Sequence, residues 1–138
     1  MKTIVDTCVW SLALRRSKFT QLSLREQQSV TDLKGAIQDN RVAIIGPIRQ
    51  EVLSGIRDKT EFNTIQQLLD PFRDEEIVPT DYIDSARLFN LCSDQGVQCG
   101  PIDILICAVA SRLRFGISTS DKSLLRCIEV LRLQRLVI

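Results

Sequence analysis

Short apolar, β-branched runs alternate along this chain with longer stretches of helical periodicity. That alternation restricts the fold more than any other feature. The runs are Thr3 to Val5, Val42 to Ile45, Glu76 to Val78, Ile117 to Thr119 and Leu136 to Ile138. Between them apolar residues recur at helical spacing, as in Val9, Leu12 and Ala13, or Ile48, Val52, Leu53 and Ile56. Strands separated by helices pair in parallel, with the helices covering the sheet. The expectation is therefore an α/β fold, a short parallel sheet of four to five strands flanked by helices. At 138 residues the chain is one domain over residues 1–138, large enough to bury a core of its own.

Local signals place several helix ends. A helix is expected over Leu22 to Asp39, and Pro47 takes the first turn of the next, where its missing N–H costs nothing. Thr60 and Thr80 are expected caps, and Gly96 stands where glycine closes a helix. Ile102 to Leu113 is the most apolar helical stretch, which makes Asp103 near its start conspicuous.

Histidine is absent. That removes the Ser-His-Asp and Cys-His nucleophile systems, imidazole acid–base cleavage of RNA, and zinc sites with histidine ligands. A hydrolase built on this chain must work through carboxylates, or through a metal that they hold. A formal net charge of +1 gives no global field for a polyanion, so contact with nucleic acid would need a local basic rim. No apolar run approaches the ~18 residues of a membrane span. The first strand starts almost at Met1 and leaves no room for a signal peptide, so the expected location is the cytoplasm. The five cysteines, Cys8, Cys92, Cys99, Cys107 and Cys127, are odd in number and contain no C-x-x-C pair. They are expected to be buried, reduced thiols rather than a disulfide framework or a zinc site. Cys92 and Cys99 are the one pair near enough in sequence to consider bridging, and they are expected to stay apart.

With 17 carboxylates, position must select the ones that matter. In an open parallel sheet, ligands bind outside the carboxyl ends of the strands. Asp6 follows the first strand, Glu51 enters the helix after the second, and Asp121 follows Ile117 to Thr119. Asp103 opens the helix before that strand, and simple topology would put it at the opposite edge. Its case rests instead on being one acid in an apolar helix, where an unpaired carboxylate is costly. An acid at a helix start can also serve only as a cap, for roughly 0.5–2 kcal/mol, and that role suffices for Glu51 and Asp121 taken singly. Four acids that did meet would raise one another's pKa unless a cation intervened. An all-oxygen set suits Mg²⁺ or Mn²⁺.

Four segments carry a resemblance. Val5-Asp6-Thr7-Cys8-Val9-Trp10, Glu51-Val52-Leu53-Ser54-Gly55, Asp103-Ile104-Leu105-Ile106-Cys107-Ala108-Val109-Ala110 and Thr119-Ser120-Asp121-Lys122 resemble, in order, those of the PIN-domain family. They are most similar to its VapC-type ribonuclease toxins from toxin–antitoxin pairs. The resemblance implies a PIN-like three-layer sandwich and an acidic pocket of Asp6, Glu51, Asp103 and Asp121 around one or two Mg²⁺ or Mn²⁺ ions. That would bring Asp103 to the pocket despite the topological objection. It further implies an endoribonuclease that hydrolyses RNA phosphodiester bonds, forms a homodimer and is silenced by a small antitoxin protein.

Two departures stand out. Cys8 occupies a place usually held by serine, threonine or asparagine, and Ser123-Leu124 replaces a second aspartate and a phenylalanine. They leave room for the alternative of a catalytically inactive PIN-like module that acts by binding a partner protein. Thr7 and Thr119 are candidates to support the acids. Arg15, Arg16, Lys18, Arg49 and Arg57 are candidates to grip RNA phosphates, although solvated surface charge explains each of them alone. Trp10 is expected in the core or at a subunit contact rather than as a platform for bases.

Overall fold

The computed structural model describes residues 1–15 and 19–133. Three parallel strands, β1 (Thr3–Val5), β2 (Val42–Ala43) and β3 (Gly116–Ser118), pair in the order β2-β1-β3. Thr3 lies opposite Val42 on one side and Gly116 on the other. Seven α-helices accompany them among the described residues: α1 (Thr7–Arg15), α2 (Leu24–Gln38), α3 (Gly46–Leu53), α4 (Lys59–Leu69), α5 (Pro79–Asp94), α6 (Pro101–Leu113) and α7 (Lys122–Leu133). Ile4 and Val5 of the central strand are fully buried, and α6 packs against both β1 and β3. Seven successive residues of α6, Ile104 to Ala110, are buried, as its composition requires. Trp10 belongs to this core and meets the Phe72 ring edge-on at 5.1 Å between centroids.

Helix starts follow side-chain chemistry closely. Ser23 caps α2, which begins at Leu24, two residues later than expected. Its hydroxyl accepts from Glu26 N, while Glu26 Oε1 accepts from Ser23 N, so two otherwise orphaned amides are satisfied at once. Asp58 rather than Thr60 caps α4, accepting from Glu61 N at 2.9 Å. A carboxylate is the stronger acceptor there, and it complements the helix dipole.

The sheet is smaller than the expected four to five strands, with three among the described residues. Leu136 to Ile138 lies outside those residues. Glu76 to Val78 forms no strand, and its hydrogen bonds show why. Val78 N donates to Asp81 Oδ2, and Glu76 O accepts from Arg112 Nη2. Groups that a ladder would need are already taken by side chains, and Pro79 starts α5 immediately afterwards. Pairing on this edge is reduced to a single parallel bridge between Ile44 and Asp74.

Arg112 makes that arrangement durable. Its guanidinium forks onto both carboxylate oxygens of fully buried Asp81, at 2.8 and 2.9 Å. Burial works to raise the Asp81 pKa. The Arg112 hydrogen bonds, the Val78 amide and the Arg112 charge outweigh it and hold the carboxyl below its usual value. This pair therefore contributes stability above the ordinary carboxylate pKa, and the contribution is lost as pH falls through the lowered one.

Two further expectations are corrected. Cys99 and Cys127 are joined in a disulfide, with Cα atoms 6.3 Å apart, and only Cys8, Cys92 and Cys107 are free. The bond spans 28 residues, so nearness in sequence was the wrong criterion for finding it. Nor does Asp103 start from the wrong edge. Leu113 is followed by Arg114 in the left-handed conformation and then Phe115, and Gly116 begins β3. Such a short turn sends α6 back antiparallel to β3. Its C-terminus sits at the amino edge of the sheet and its start, with Asp103, at the carboxyl edge.

Replacing Arg112 with methionine should cost about 3 kcal/mol, because it strands a buried carboxylate. Urea denaturation at neutral pH measures this, and the deficit should shrink at acid pH, where Asp81 can protonate.

Candidate metal centre

Asp6 is where strand becomes helix. Its N–H donates to Ser118 O at 2.9 Å, which extends the β1–β3 ladder, and its carbonyl accepts from Val9 N and Trp10 N to begin α1. The carboxylate has different partners. Oδ1 accepts from Thr7 N at 2.8 Å, and Oδ2 accepts from the Thr119 hydroxyl at 2.7 Å, with the Cys8 thiol at 3.6 Å. A capping carboxylate takes the second or third amide of its helix. This one is turned toward the end of β3 instead, and it is buried.

Thr119 carries the arrangement across to Asp121. Its hydroxyl donates to Asp6 and accepts from Asp121 N at 3.0 Å. Asp121 Oδ1 then accepts from Ser123 N at 2.7 Å, which ties the acid to the start of α7 while the residue stays exposed. Cys8 tethers the same loop, because its sulfur accepts from Ser120 N at 3.5 Å and from the Ser120 hydroxyl at 3.4 Å. A thiol at this position holds the β3–α7 loop against α1, a task that nothing in the local sequence announces.

Asp103 reaches the same edge from α6. Its carboxylate folds back over the helix start, where a Cβ added to Gly100 would lie 3.6 Å from Oδ2. Burial pushes its pKa up, and the charges of Asp121, Asp6 and Glu51 push it further, to about 6. The other three selected acids thus act on it through their charge. Glu51, in the second turn of α3, is exposed and joins the group through its charge. Beneath them, burial raises the Cys107 thiol to about 12, helped by Cys92, Asp103 and Asp6, so it stays neutral.

The donor chemistry suits a hard divalent cation, although as the side chains stand no three of the four acids bring carboxylate oxygens within 4.8 Å of one another. Every group is a carboxylate or a hydroxyl, and their mutual repulsion is of the kind a cation relieves. The Thr7 hydroxyl, next to Asp6, is one of two buried side-chain polar atoms without a partner among the described residues.

The basic candidates fare differently. Arg49 is occupied by the chain itself, donating to Asp74 Oδ1, Leu69 O and Phe72 O, and it fastens the loop after α4. Arg57 is exposed. Arg16, Lys18 and the Arg15 side chain lie outside the described residues. A residue overlooked in the sequence is Glu26, which with Cys8, Ser11, Leu12 and Ser120 lines a groove of about 230 Å³. Its capping role in α2 was the only available signal, and that signal does not point to a site.

The family model for the PIN domain matches residues 3–128, and the chain belongs to that family. None of the curated proteins compared with it matches. PIN domains are generally metal-dependent nucleases that bind divalent ions through acidic residues. No described helix is long and apolar enough to cross a membrane.

The raised Asp103 pKa has a consequence for stability. The folded chain binds a proton there that the unfolded chain has already released between about pH 4 and pH 6, so metal-free stability falls as pH rises through that window. Asp103→Asn should therefore raise metal-free stability at pH 7.5, on the order of 1 kcal/mol, and by much less below about pH 4. Thermal melts in a chelator at the two pH values test this.

Proposed function

We propose that this chain is a Mg²⁺- or Mn²⁺-dependent endoribonuclease, the toxin of a toxin–antitoxin pair, acting in the cytoplasm as a homodimer silenced by its antitoxin protein. The observation that carries the reading is the hydrogen-bonded chain from Asp6 through the Thr119 hydroxyl to Asp121, at the carboxyl edge of the sheet in a chain of the PIN family. Four acids from four segments gathered at one sheet edge, with no cation facing them among the described contacts, would repel a phosphodiester. RNA can approach only if a divalent ion comes between.

Asp6, Asp103, Asp121 and Glu51 are the residues that would hold such an ion. A bound Mg²⁺ or Mn²⁺ supplies positive charge that stabilises in-line displacement at phosphorus and activates water as the nucleophile. The protein's part is orientation. Thr119 fixes Asp6 and the Asp121 backbone at once, so the acids at the ends of β1 and β3 are set before any ligand arrives. Cys8 and Ser120 keep the intervening loop in place. The buried Asp6 offers little freedom, whereas exposed Glu51 can adjust to the ligand. Arg57, Arg15 and Arg16 remain the candidates for phosphate contact, and the fully engaged Arg49 serves that role least well.

A mixed RNA pool distinguishes this reading from a module that only binds a partner. Cleavage should require Mg²⁺ or Mn²⁺, stop in excess chelator, and fall at least about 100-fold in Asp6→Ala or Asp103→Ala chains with unchanged circular dichroism. Metal-independent cleavage, or activity that survives both substitutions, contradicts the proposed chemistry. No cleavage by the wild-type chain under any divalent ion favours the binding module.

A further inference from the structure

A second cluster of side chains is built from sulfur. The sulfurs of Cys92, Cys99 and Cys127 all fall within 4.8 Å of one another, and all three residues are buried. Three thiolates would suit a soft metal, but here two of the sulfurs are bonded to each other. What remains is a disulfide with a third sulfur beside it.

The placement of the bond is informative. Cys99 stands just before Gly100, the residue over which the Asp103 carboxylate folds. Cys127 is on α7, the helix whose start holds Asp121 through Ser123 N. The disulfide therefore joins the two segments that deliver Asp103 and Asp121. Cys92, near the end of α5, is the neighbouring free thiol.

We propose that Cys92, Cys99 and Cys127 form an exchangeable crosslink whose state sets how Asp103 and Asp121 are positioned for a divalent cation. The inference rests on the metal-binding reading of the acids. In the exchange, Cys92 gives up its proton and its sulfur bonds to that of Cys99. The Cys99–Cys127 bond breaks, and Cys127 leaves as a thiolate that takes up a proton. The number of disulfides is unchanged, so no outside oxidant or reductant is needed. The new Cys92–Cys99 bond closes on the end of α5 and leaves α7 untied from the segment that carries Asp103. Burial holds the Cys92 thiol protonated, which makes the exchange slow at neutral pH and faster in alkali. All three cysteines act through the acids, so they are positioning residues.

The test is Mn²⁺ affinity, followed by calorimetry far below the melting temperature, for the full chain with its disulfide intact and after reduction by a phosphine. Reduction should weaken Mn²⁺ binding about tenfold while the far-ultraviolet helix signal is kept. Cys92→Ala should bind as the intact chain does and should retain only the Cys99–Cys127 bond after incubation at about pH 9, where peptide mapping of the wild type shows Cys92–Cys99 as well. Leu69→Ala, a core truncation far from the sulfurs in sequence, loosens the fold without touching the crosslink and should leave Mn²⁺ affinity unchanged.

Equal Mn²⁺ affinity in the intact and reduced chains would overturn the crosslink proposal and leave the acidic site standing. So would an equal loss in Leu69→Ala, a reduced chain without its helix signal, or a wild type that never forms Cys92–Cys99. A chain that binds no Mn²⁺ in either state overturns both the crosslink and the metal site.

Discussion

Repulsion among carboxylates is the constraint on which the rest of this molecule turns. A parallel sheet brings the ends of β1 and β3 to one edge, and α6 returns its own start to the same place. The fold thereby concentrates like charge at a partly buried edge, and Asp103, through its burial and its neighbours' charge, registers the cost in a pKa of about 6. A purely structural arrangement would pair such acids with arginine or lysine, as the chain does elsewhere with Asp81 and Arg112. The contrast between those two environments is the physical argument for a cation at the sheet edge. One carboxylate is neutralised from within the fold, and the others await a charge from outside.

The short sheet follows from the same economy of hydrogen bonds. Asp81 and Arg112 take the groups of Glu76 and Val78 that a fourth strand would have used, and in doing so they cap α5 and anchor α6. What the sheet loses in extent is made up by α6, whose buried run from Ile104 to Ala110 packs on the central strand. This gives α6 a fixed orientation, and Asp103 with it. Stability and site geometry thus share one element.

Much of this was legible in the residues because the responsible interactions are local. The β-branched runs at Thr3 to Val5 and Val42 to Ile45, the proline after Gly46 and the apolar sweep of α6 announce their structures within a few positions. Asp6, Glu51 and Asp121 could be chosen by strand ends and the helix that follows one, and Asp103 by being the one acid in an apolar helix. Long-range chemistry was not legible. The Cys99–Cys127 bond, the Arg112 fork onto Asp81 and the Cys8 tether to Ser120 join residues 28, 31 and 112 positions apart. No local spacing encodes such pairs. The misplacement of Asp103 was of another kind. Its edge follows from the short turn between α6 and β3, and the direction of that helix had been read the wrong way round.

The central question is whether the acids share a site that wants a cation. The most direct measurement is the carboxyl carbon resonance of Asp103, titrated against pH by nuclear magnetic resonance with and without Mg²⁺. A metal-free midpoint near pH 6 that moves well down when Mg²⁺ is added is the predicted result. A midpoint in the ordinary aspartate range near about 4, indifferent to Mg²⁺, would contradict it.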